Sequence, residues 1–375
     1  MLGNATARCS KLILQASSRE GAMKWLLFCV VLTSSMGVHS AISQEKPDGD
    51  ADALQQAERL VQAHQLEKAN ELLAGFLQEH PGDESAAIKL GQVQSAQGLY
   101  EDALKSFESV LAVKPTSEAA REGEVKAAEA DALSDQKTGI DGSALLCLIR
   151  ARKFVPDSPQ LLLDFGMQAE RMHIYRDADE ALSKAHELAP QDARILYGLA
   201  HVQFDEQKLP DAEANLRAYL AQRPEDATAH FGLGRLLHVL LKDDEAKAEL
   251  DRSIALQPRQ SGSYYELGDI ALQQNKDGEA KDNFVKVLEL APHHGGALTG
   301  LGVLAFRAKD YPQAEKYLKS AIEYAADYPK PHHYYALVLM RLGRTEEAKR
   351  EADRATELDK EEAHASHGNS LTVLQ

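Results

Sequence analysis

Pairs of histidines are the residues of this sequence whose type and spacing come closest to a metal site. His293-His294 and His332-His333 are adjacent pairs, and His364 and His367 lie three residues apart near the end of the chain. A zinc site needs three or four ligands on a fixed framework. A whole predicted helical hairpin separates the adjacent pairs, and the last pair lacks a fixed third ligand. We therefore interpret these as chance surface histidines and predict no metal and no cofactor.

Two short glycine motifs resemble, in part, a loop that binds phosphate. They are Gly232-Leu233-Gly234 and Gly300-Leu301-Gly302. A phosphate-binding loop leads into the start of a helix, because the free N–H groups there contact the anion. Both motifs instead fall in the middle of predicted helices, where glycine favours close helix packing. No convincing nucleophile motif is present either, so we predict that the chain is not an enzyme.

A 34-residue period organises most of the chain. Six consecutive units begin at Pro159, Ala193, Ala227, Ser261, Gly295 and Pro329. The eighth residue of each unit is glycine or alanine, and the twentieth is alanine in all six (Ala178, Ala212, Ala246, Ala280, Ala314 and Ala348). Two upstream units, 50–83 and 84–117, carry the same two marks, and proline stands at the thirty-second place of most units. These units leave no stretch of sequence for a catalytic domain.

Each unit is predicted to be a helical hairpin. Apolar residues recur three or four apart, as in Leu233, Leu236 and Leu237, which is the pattern of an amphipathic helix. A small eighth residue would let the second helix approach closely through its alanine. The closing proline would end the second helix before the next unit begins.

This combination of small, alanine and proline marks on a 34-residue period resembles the tetratricopeptide repeat. The resemblance extends over eight units. It implies an all-α fold, an α-solenoid of stacked helical hairpins that winds into a right-handed superhelix. It also implies that the first helices line a concave groove, in which the fifth, ninth, twelfth and thirteenth residues of each unit face a ligand.

In this sequence those places hold aromatic and polar side chains. Tyr197, Phe231 and Tyr265 would form an aromatic ladder along the groove. The other candidate groove residues are His201, Phe204, Arg235, His238, Asp269 and Phe306. Aromatic faces with a few polar groups suit the binding of a peptide. The alternative is that some of these rings pack only against the adjacent first helix.

The period also divides the chain into segments. They are an N-terminal extension with a signal peptide (1–43), a linker (44–49), two repeats (50–117), an irregular longer hairpin (118–158), six repeats (159–362) and a tail (363–375). The irregular hairpin is seven residues longer than a regular unit, and we place the extra residues in its first helix or in the loop 136–142. It is a variant repeat or, alternatively, a bend or a loop that contacts a partner.

The start of the chain predicts export. Met23-Lys24 precede an apolar run from Trp25 to Leu32, and small residues suited to cleavage follow. The run is too short to span a bilayer comfortably. We therefore predict a signal peptide, for which Met23 is a candidate start, and a periplasmic or extracellular protein of a bacterial envelope. An uncleaved N-terminal anchor is the alternative.

Charge and cysteine content restrict the partners. The net charge is −16, and it is near −19 without residues 1–40. Such a chain would repel nucleic acid and anionic membrane surfaces. After signal removal Cys147 alone remains, which excludes an intramolecular disulfide, and we expect it to be buried as a small apolar residue.

These observations favour a non-catalytic, exported scaffold or adaptor that binds a protein or peptide segment in a concave groove. We predict no nucleic-acid partner and no membrane insertion after signal cleavage. Two alternatives stay open. One is an envelope component that binds a polysaccharide or its export machinery through Tyr197, Phe231 and Tyr265. The other is a structural repeat protein that self-associates.

Overall fold

A computed structural model describes residues 48–368, and the side chains of residues 52–361. That part of the chain consists of α-helices without any β-strand. The helices are α1 (Asp48–Gln62), α2 (Leu66–Glu79), α3 (Glu84–Ala96), α4 (Tyr100–Val113), α5 (Glu118–Thr138), α6 (Asp141–Phe154), α7 (Pro159–Arg171), α8 (Tyr175–Leu188), α9 (Ala193–Asp205), α10 (Leu209–Gln222), α11 (Ala227–Val239), α12 (Asp243–Leu256), α13 (Ser261–Gln273), α14 (Asp277–Leu290), α15 (Gly295–Arg307), α16 (Tyr311–Tyr324), α17 (Pro329–Arg341) and α18 (Thr345–Gly368).

The two ends of this helical array differ from the predicted segment bounds. The predicted signal peptide, residues 1–43, lies outside the described residues. Helix α1 begins at Asp48, so the last two residues of the predicted linker are helical. Helix α18 continues to Gly368 and thus includes the first part of the predicted tail.

The helices form hairpins that stack in sequence order. From α3 onward, each odd-numbered helix packs against the even-numbered helix that follows it, and from α2 each even-numbered helix packs against the next odd-numbered one. Successive odd-numbered helices from α3 also pack closely against each other, except for α9 and α11, whereas among the described even-numbered helices only α4 and α6 do so. The predicted all-α stack of hairpins is confirmed. The odd-numbered helices lie closer together, and we call the surface they form the inner face.

The small residue at the eighth place of each unit has a different partner from the expected one. The alanines at the twentieth place are buried, as the pattern predicts. A Cβ atom on Gly166, however, would lie 2.5 Å from Cγ of Leu182, and one on Gly234 would lie 2.7 Å from Cγ of Leu250. Leu182 and Leu250 both occupy the twenty-fourth place. Glycine is therefore required mainly by the large side chain at that place, and less by the alanine.

Where the twenty-fourth residue is phenylalanine, the next hairpin also supplies a glycine. A Cβ on Gly268 would lie 2.7 Å from the ring of Phe284, and a Cβ on Gly300 would lie 2.4 Å from the same ring. The ring thus fills the space left by one glycine of its own hairpin and one of the following hairpin. Phe107 lies in the same way between Gly91 and Gly123. The second motif noted in the sequence, Gly300-Leu301-Gly302, is therefore a packing feature.

The turn between the two helices of each described hairpin contains one residue with a positive φ angle. It is glycine at Gly98, Gly139 and Gly343, and a residue with a side chain at His64, His173, Gln207, Leu241, Asn275 and Lys309. A side chain in the left-handed region costs about 1–2 kcal/mol. Six turns of the array therefore carry a local conformational cost.

Replacing Leu241 by glycine is expected to raise the free energy of unfolding by about 0.5–1 kcal/mol. Leu241 has φ of 59° and is 81% exposed, so the substitution relieves strain without removing packing. Chemical denaturation followed by circular dichroism measures the change. Leu146→Gly, at an exposed site inside α6, is the control and should lower stability by about 1 kcal/mol. A loss of stability in Leu241→Gly would contradict the expectation.

The seven extra residues of the irregular hairpin lie in its first helix. Helix α5 contains 21 residues, eight more than the 13 of a regular first helix such as α7, and the turn after α5 is one residue shorter than the turn after α7. The added turns end at Gly139, whose φ of 76° caps the helix. They are attached to the next hairpin through Gln136, whose amide donates to Oε1 of Gln168 at 2.8 Å. The insertion is therefore an ordered extension of α5 and not a free loop.

A buried carboxyl group lies in this hairpin. Glu124 is 0% exposed and stands at the seventh place of its unit, where the other repeats have Leu199, Leu233 and similar apolar residues. Neither of its carboxylate oxygens has a hydrogen-bond partner among the described residues. The nearby Arg150 donates instead to Glu108 (2.6 Å) and Glu101 (2.8 Å). Burial raises the pKa of Glu124 to about 8.

Candidate functional site

The predicted groove residues all lie on first helices of the stack. Helix α9 carries Tyr197, His201 and Phe204; α11 carries Phe231, Arg235 and His238; α13 carries Tyr265 and Asp269; and α15 carries Phe306. Because these residues occupy the fifth, ninth and twelfth places, they lie at equivalent positions on successive helices. Helices α9, α11 and α15 begin with a side-chain cap, for example where Asp226 accepts from the N–H of Ala229 at 3.0 Å, whereas α13 has none.

The three rings of the predicted ladder are half-buried, and each packs partly against the protein. A Cβ on Gly262 would lie 2.9 Å from the ring of Phe231, and one on Gly296 would lie 2.7 Å from the ring of Tyr265. Two rings of the ladder therefore pack against the next first helix through its second residue. Burial raises the pKa of Tyr265 well above its usual range.

Tyr197 packs within its own hairpin. Its ring centroid lies 4.6 Å from that of His201 and 5.0 Å from that of Tyr219. The His201 side chain remains exposed. On the same helix the ring of Phe204 supports the exposed guanidinium of Arg235, whose Cζ lies 5.1 Å from the ring centroid. The faces of α9 and α11 thus bring aromatic surface and two exposed nitrogen-bearing side chains together.

His238 is buried in an ion-pair cluster that joins three helices. Its Nδ1 lies 3.0 Å from Asp243, and its Nε2 lies 3.6 Å from Asp269. Asp269 and Asp243 together raise the pKa of His238 to about 9. His238 in turn lowers the pKa of Asp269 to about 2. Both groups are therefore charged at neutral pH, and the pair links neighbouring hairpins.

The charged His238 cluster predicts a loss of stability at alkaline pH. The pKa of His238 rises from 6.5, its ordinary value, to about 9 in the folded state. Its contribution to the free energy of unfolding is therefore complete below about pH 6.5 and is lost as pH rises through about 9. We expect this loss to be roughly 2 kcal/mol. Chemical denaturation of the parent and of His238→Gln from pH 6 to pH 10 measures the loss as the difference between their free energies of unfolding. The contributions of other titrating groups cancel in this difference. Superimposable profiles would contradict the assignment.

The inner face is closed over α15. Lys330 of α17 reaches Asp269 of α13, with Nζ 3.5 Å from the carboxylate, and α15 lies between these two helices in the stack. Thr299 and Val303, at the fifth and ninth places of α15, are buried. Phe306 lies at the far end of α15 and packs against Tyr311 and Tyr334, at 5.9 and 6.4 Å between ring centroids. The structure therefore does not bring Phe306 together with the other candidates.

One histidine of each adjacent pair is buried or half-buried and has a structural contact, which corrects the interpretation of His294 and His332 as surface residues, whereas His293 and His333 are exposed. His332 is 5% exposed, and its Nδ1 lies 2.7 Å from Glu351. His294 caps α15 by accepting from the N–H of Ala297 at 3.1 Å. The side chains of His364 and His367 lie outside the described part. Among the residues whose placement is described, no group of three His, Cys, Asp or Glu side chains has the arrangement of a metal site.

Sequence reasoning missed two charged residues of this face, Lys330 and Glu266. Glu266 lies at the sixth place of α13, and burial raises its pKa, which the charge of Arg235 partly offsets. The resemblance assigns only the fifth, ninth, twelfth and thirteenth places to the groove, whereas the ion pair of Lys89 with Glu58 shows that the sixth place of one unit reaches the ninth place of the preceding unit. Cys147 is buried, as predicted. Over the described stretch, no helix combines the length and apolar character needed to cross a membrane.

Comparison with family models gives four matching stretches, all described as tetratricopeptide repeat. One model matches residues 60–128 and 305–367, and a second matches 197–261 and 265–329. Together they cover more than half of the chain. No curated protein matches it.

Several solved structures are similar to this chain. The structure of pilF from Pseudomonas aeruginosa has 18% identity and a TM-score of 0.50, and the match covers 58% of this chain and 99% of that one. The Cut9-Hcn1 hetero-tetramer of APC/C has 17% identity and a TM-score of 0.52, covering 78% and 56%. YrrB, described as a TPR protein with an unusual peptide-binding site, has 21% identity and a TM-score of 0.41, covering 50% and 96%. At these identities the likeness concerns the fold alone.

Proposed function

Because the chain belongs to the tetratricopeptide repeat family and is a non-catalytic interaction scaffold, we propose that it binds a protein or peptide segment on the inner face of α9, α11 and α13. A scaffold of stacked hairpins offers a long continuous surface, which suits a partner in extended or helical form. The described residues contain no metal cluster, and the proposal requires none.

The exposed edge of α9 and α11 is the observation that carries this proposal. His201 and Arg235 are exposed beside the half-buried rings of Tyr197 and Phe204. Rigid aromatic surface with adjacent polar groups supplies contact area at a low entropic cost and fixes the orientation of a bound segment. The closure over α15 favours a binding face that ends near α13.

Export is the second part of the proposal, and it is supported by the sequence of residues 23–43. Mass spectrometry of the protein recovered from its native host tests it. A mature amino terminus near Ala41 is expected. A chain that retains residues 25–32 and stays in the membrane fraction would support the uncleaved anchor, and one that retains them in the cytoplasm would contradict export.

A crosslinked pull-down tests binding on the inner face. The bait is compared with a double variant, His201→Ser with Arg235→Gln, because both side chains are exposed and their replacement leaves the packed rings intact. We expect partners to be captured by the parent and lost by the variant. Leu146→Ser, on exposed surface of α6, is the control and should retain them. Equal capture by parent and double variant would contradict the proposed face.

A further inference from the structure

Arg235 forms no ion pair, unlike several other cations of the odd-numbered helices. Their ion pairs include Lys89 with Glu58, Lys126 with Glu122, Arg171 with Asp141, Arg307 with Asp277 and Lys330 with Asp269. Arg235 has neither an ion pair nor a hydrogen bond to any residue of the described part. Its Cζ lies over the ring of Phe204 instead, 5.1 Å from the ring centroid. The N–H groups of a guanidinium in such a cation–π contact remain available to a ligand.

The carboxylate best placed to neutralise Arg235 does not do so. Arg235 stands at the ninth place of its unit, and Glu266 stands at the sixth place of the next unit. Glu58 and Lys89 occupy the same two places in an earlier pair of units. Lys89 and Glu58 form an ion pair, whereas Arg235 and Glu266 do not come within ion-pair distance. The Cζ of Arg235 lies over Phe204 instead, while the charge of Arg235 still lowers the pKa of Glu266 against the effect of burial. Glu266 is therefore an internal carboxylate that competes with a ligand for Arg235.

His201 stands beside this site at the equivalent ninth place of the preceding unit. It is exposed, and its ring rests on that of Tyr197 at 4.6 Å between centroids. Neither ring nitrogen has a hydrogen-bond partner in the described structure. Two side chains that donate hydrogen bonds thus lie on neighbouring helices, each supported by an aromatic ring.

We propose that Arg235, held on Phe204 next to His201, binds a carboxylate side chain of the partner, so that the bound segment contains an aspartate or glutamate at this point. The inference rests on the proposed function, and it specifies the chemistry of the segment. A guanidinium binds a carboxylate through two parallel hydrogen bonds, and such charge-assisted bonds are about twice as strong as neutral ones. Contact with the ring of Phe204 restrains the guanidinium before the ligand arrives, which lowers the entropic cost of binding.

Peptide selection tests this inference. A display library of random 12-residue peptides is panned against the full chain, and a selected peptide is synthesised with its acidic residue kept or changed to the amide. Fluorescence anisotropy then measures both affinities. We expect the parent to bind the acidic peptide about tenfold more tightly than the amide, and Arg235→Gln to bind the two equally. Glu266→Gln should bind the acidic peptide more tightly than the parent, because a competing carboxylate is removed.

The outcomes separate this inference from the proposed function. Peptides could bind the parent, fail to bind the His201→Ser, Arg235→Gln double variant and show no preference for acidic over amide residues. That result would overturn the inference and leave the binding face in place. Equal discrimination by the parent and by Arg235→Gln would also overturn it. Failure to select any peptide that depends on the inner face would overturn both.

Discussion

Replacing Glu124 by leucine is expected to raise the free energy of unfolding by about 3 kcal/mol at pH 7. The carboxyl is fully buried without a hydrogen-bond partner in the described structure, and burial raises its pKa from 4.5 to about 8. A raised carboxyl pKa destabilises the fold as pH increases. The cost is absent below about pH 4.5, grows through neutral pH and is complete above about pH 8. Leucine also restores the apolar residue found at this place in other repeats.

Chemical denaturation of the parent, Glu124→Leu and Glu124→Gln between pH 4 and pH 9 measures this effect. The parent should lose stability relative to both variants as pH rises, because neither variant has the ionisable group. Glu124→Gln keeps a polar group in the core and should gain less than leucine. An unchanged difference between the parent and Glu124→Gln across this range would show that the carboxyl is not held neutral by burial.

Replacing Gly300 by alanine is expected to lower the free energy of unfolding by about 2 kcal/mol. The new Cβ would lie 2.4 Å from the ring of Phe284, which is itself packed on Gly268. The ring has no free side to move toward, so either the ring or the hairpin must shift. Thermal and chemical denaturation followed by circular dichroism measure the loss.

Gly232→Ala is the matched control for Gly300→Ala, because both glycines occupy the sixth place of a first helix. A Cβ on Gly232 would meet nothing within 4 Å, so alanine there should raise stability by up to about 1 kcal/mol. Adding Phe284→Leu to Gly300→Ala should recover part of the loss. Leu182 and Gly198 occupy the same two places as Phe284 and Gly300, and a Cβ on Gly198 would lie 3.4 Å from Leu182. A loss of equal size in both alanine variants would contradict the packing account.

The fold was predictable because each mark in the sequence reports a feature within one hairpin, either the packing of its two helices or the end of its second helix. The small eighth residue and the alanine at the twentieth place lie in helices that pack against each other, and each closing proline follows the end of a second helix by two residues, as Pro224 follows Gln222. The extension of α5 was ambiguous between helix and loop. Gly139 was the available signal, because glycine commonly caps a helix in the left-handed conformation.

Contacts between hairpins were much less predictable. The pairing of Phe284 with Gly300 depends on how far one hairpin rotates against the next, and the 34-residue period alone does not fix that rotation. The ion pair of Lys330 with Asp269 spans two hairpins and closes the inner face over Thr299 and Val303. For this reason the sequence placed Phe306 in a continuous groove, whereas the structure separates it from the faces of α9 and α11.

Site-specific photocrosslinking tests whether partners bind the inner face. A benzoylphenylalanine residue is introduced in place of His201 on α9 or in place of Leu146 on α6, and the protein is irradiated in extracts of its native compartment. We expect a discrete adduct from position 201 and none from position 146. Adducts from position 146 alone, or equally from both, would contradict binding on the inner face.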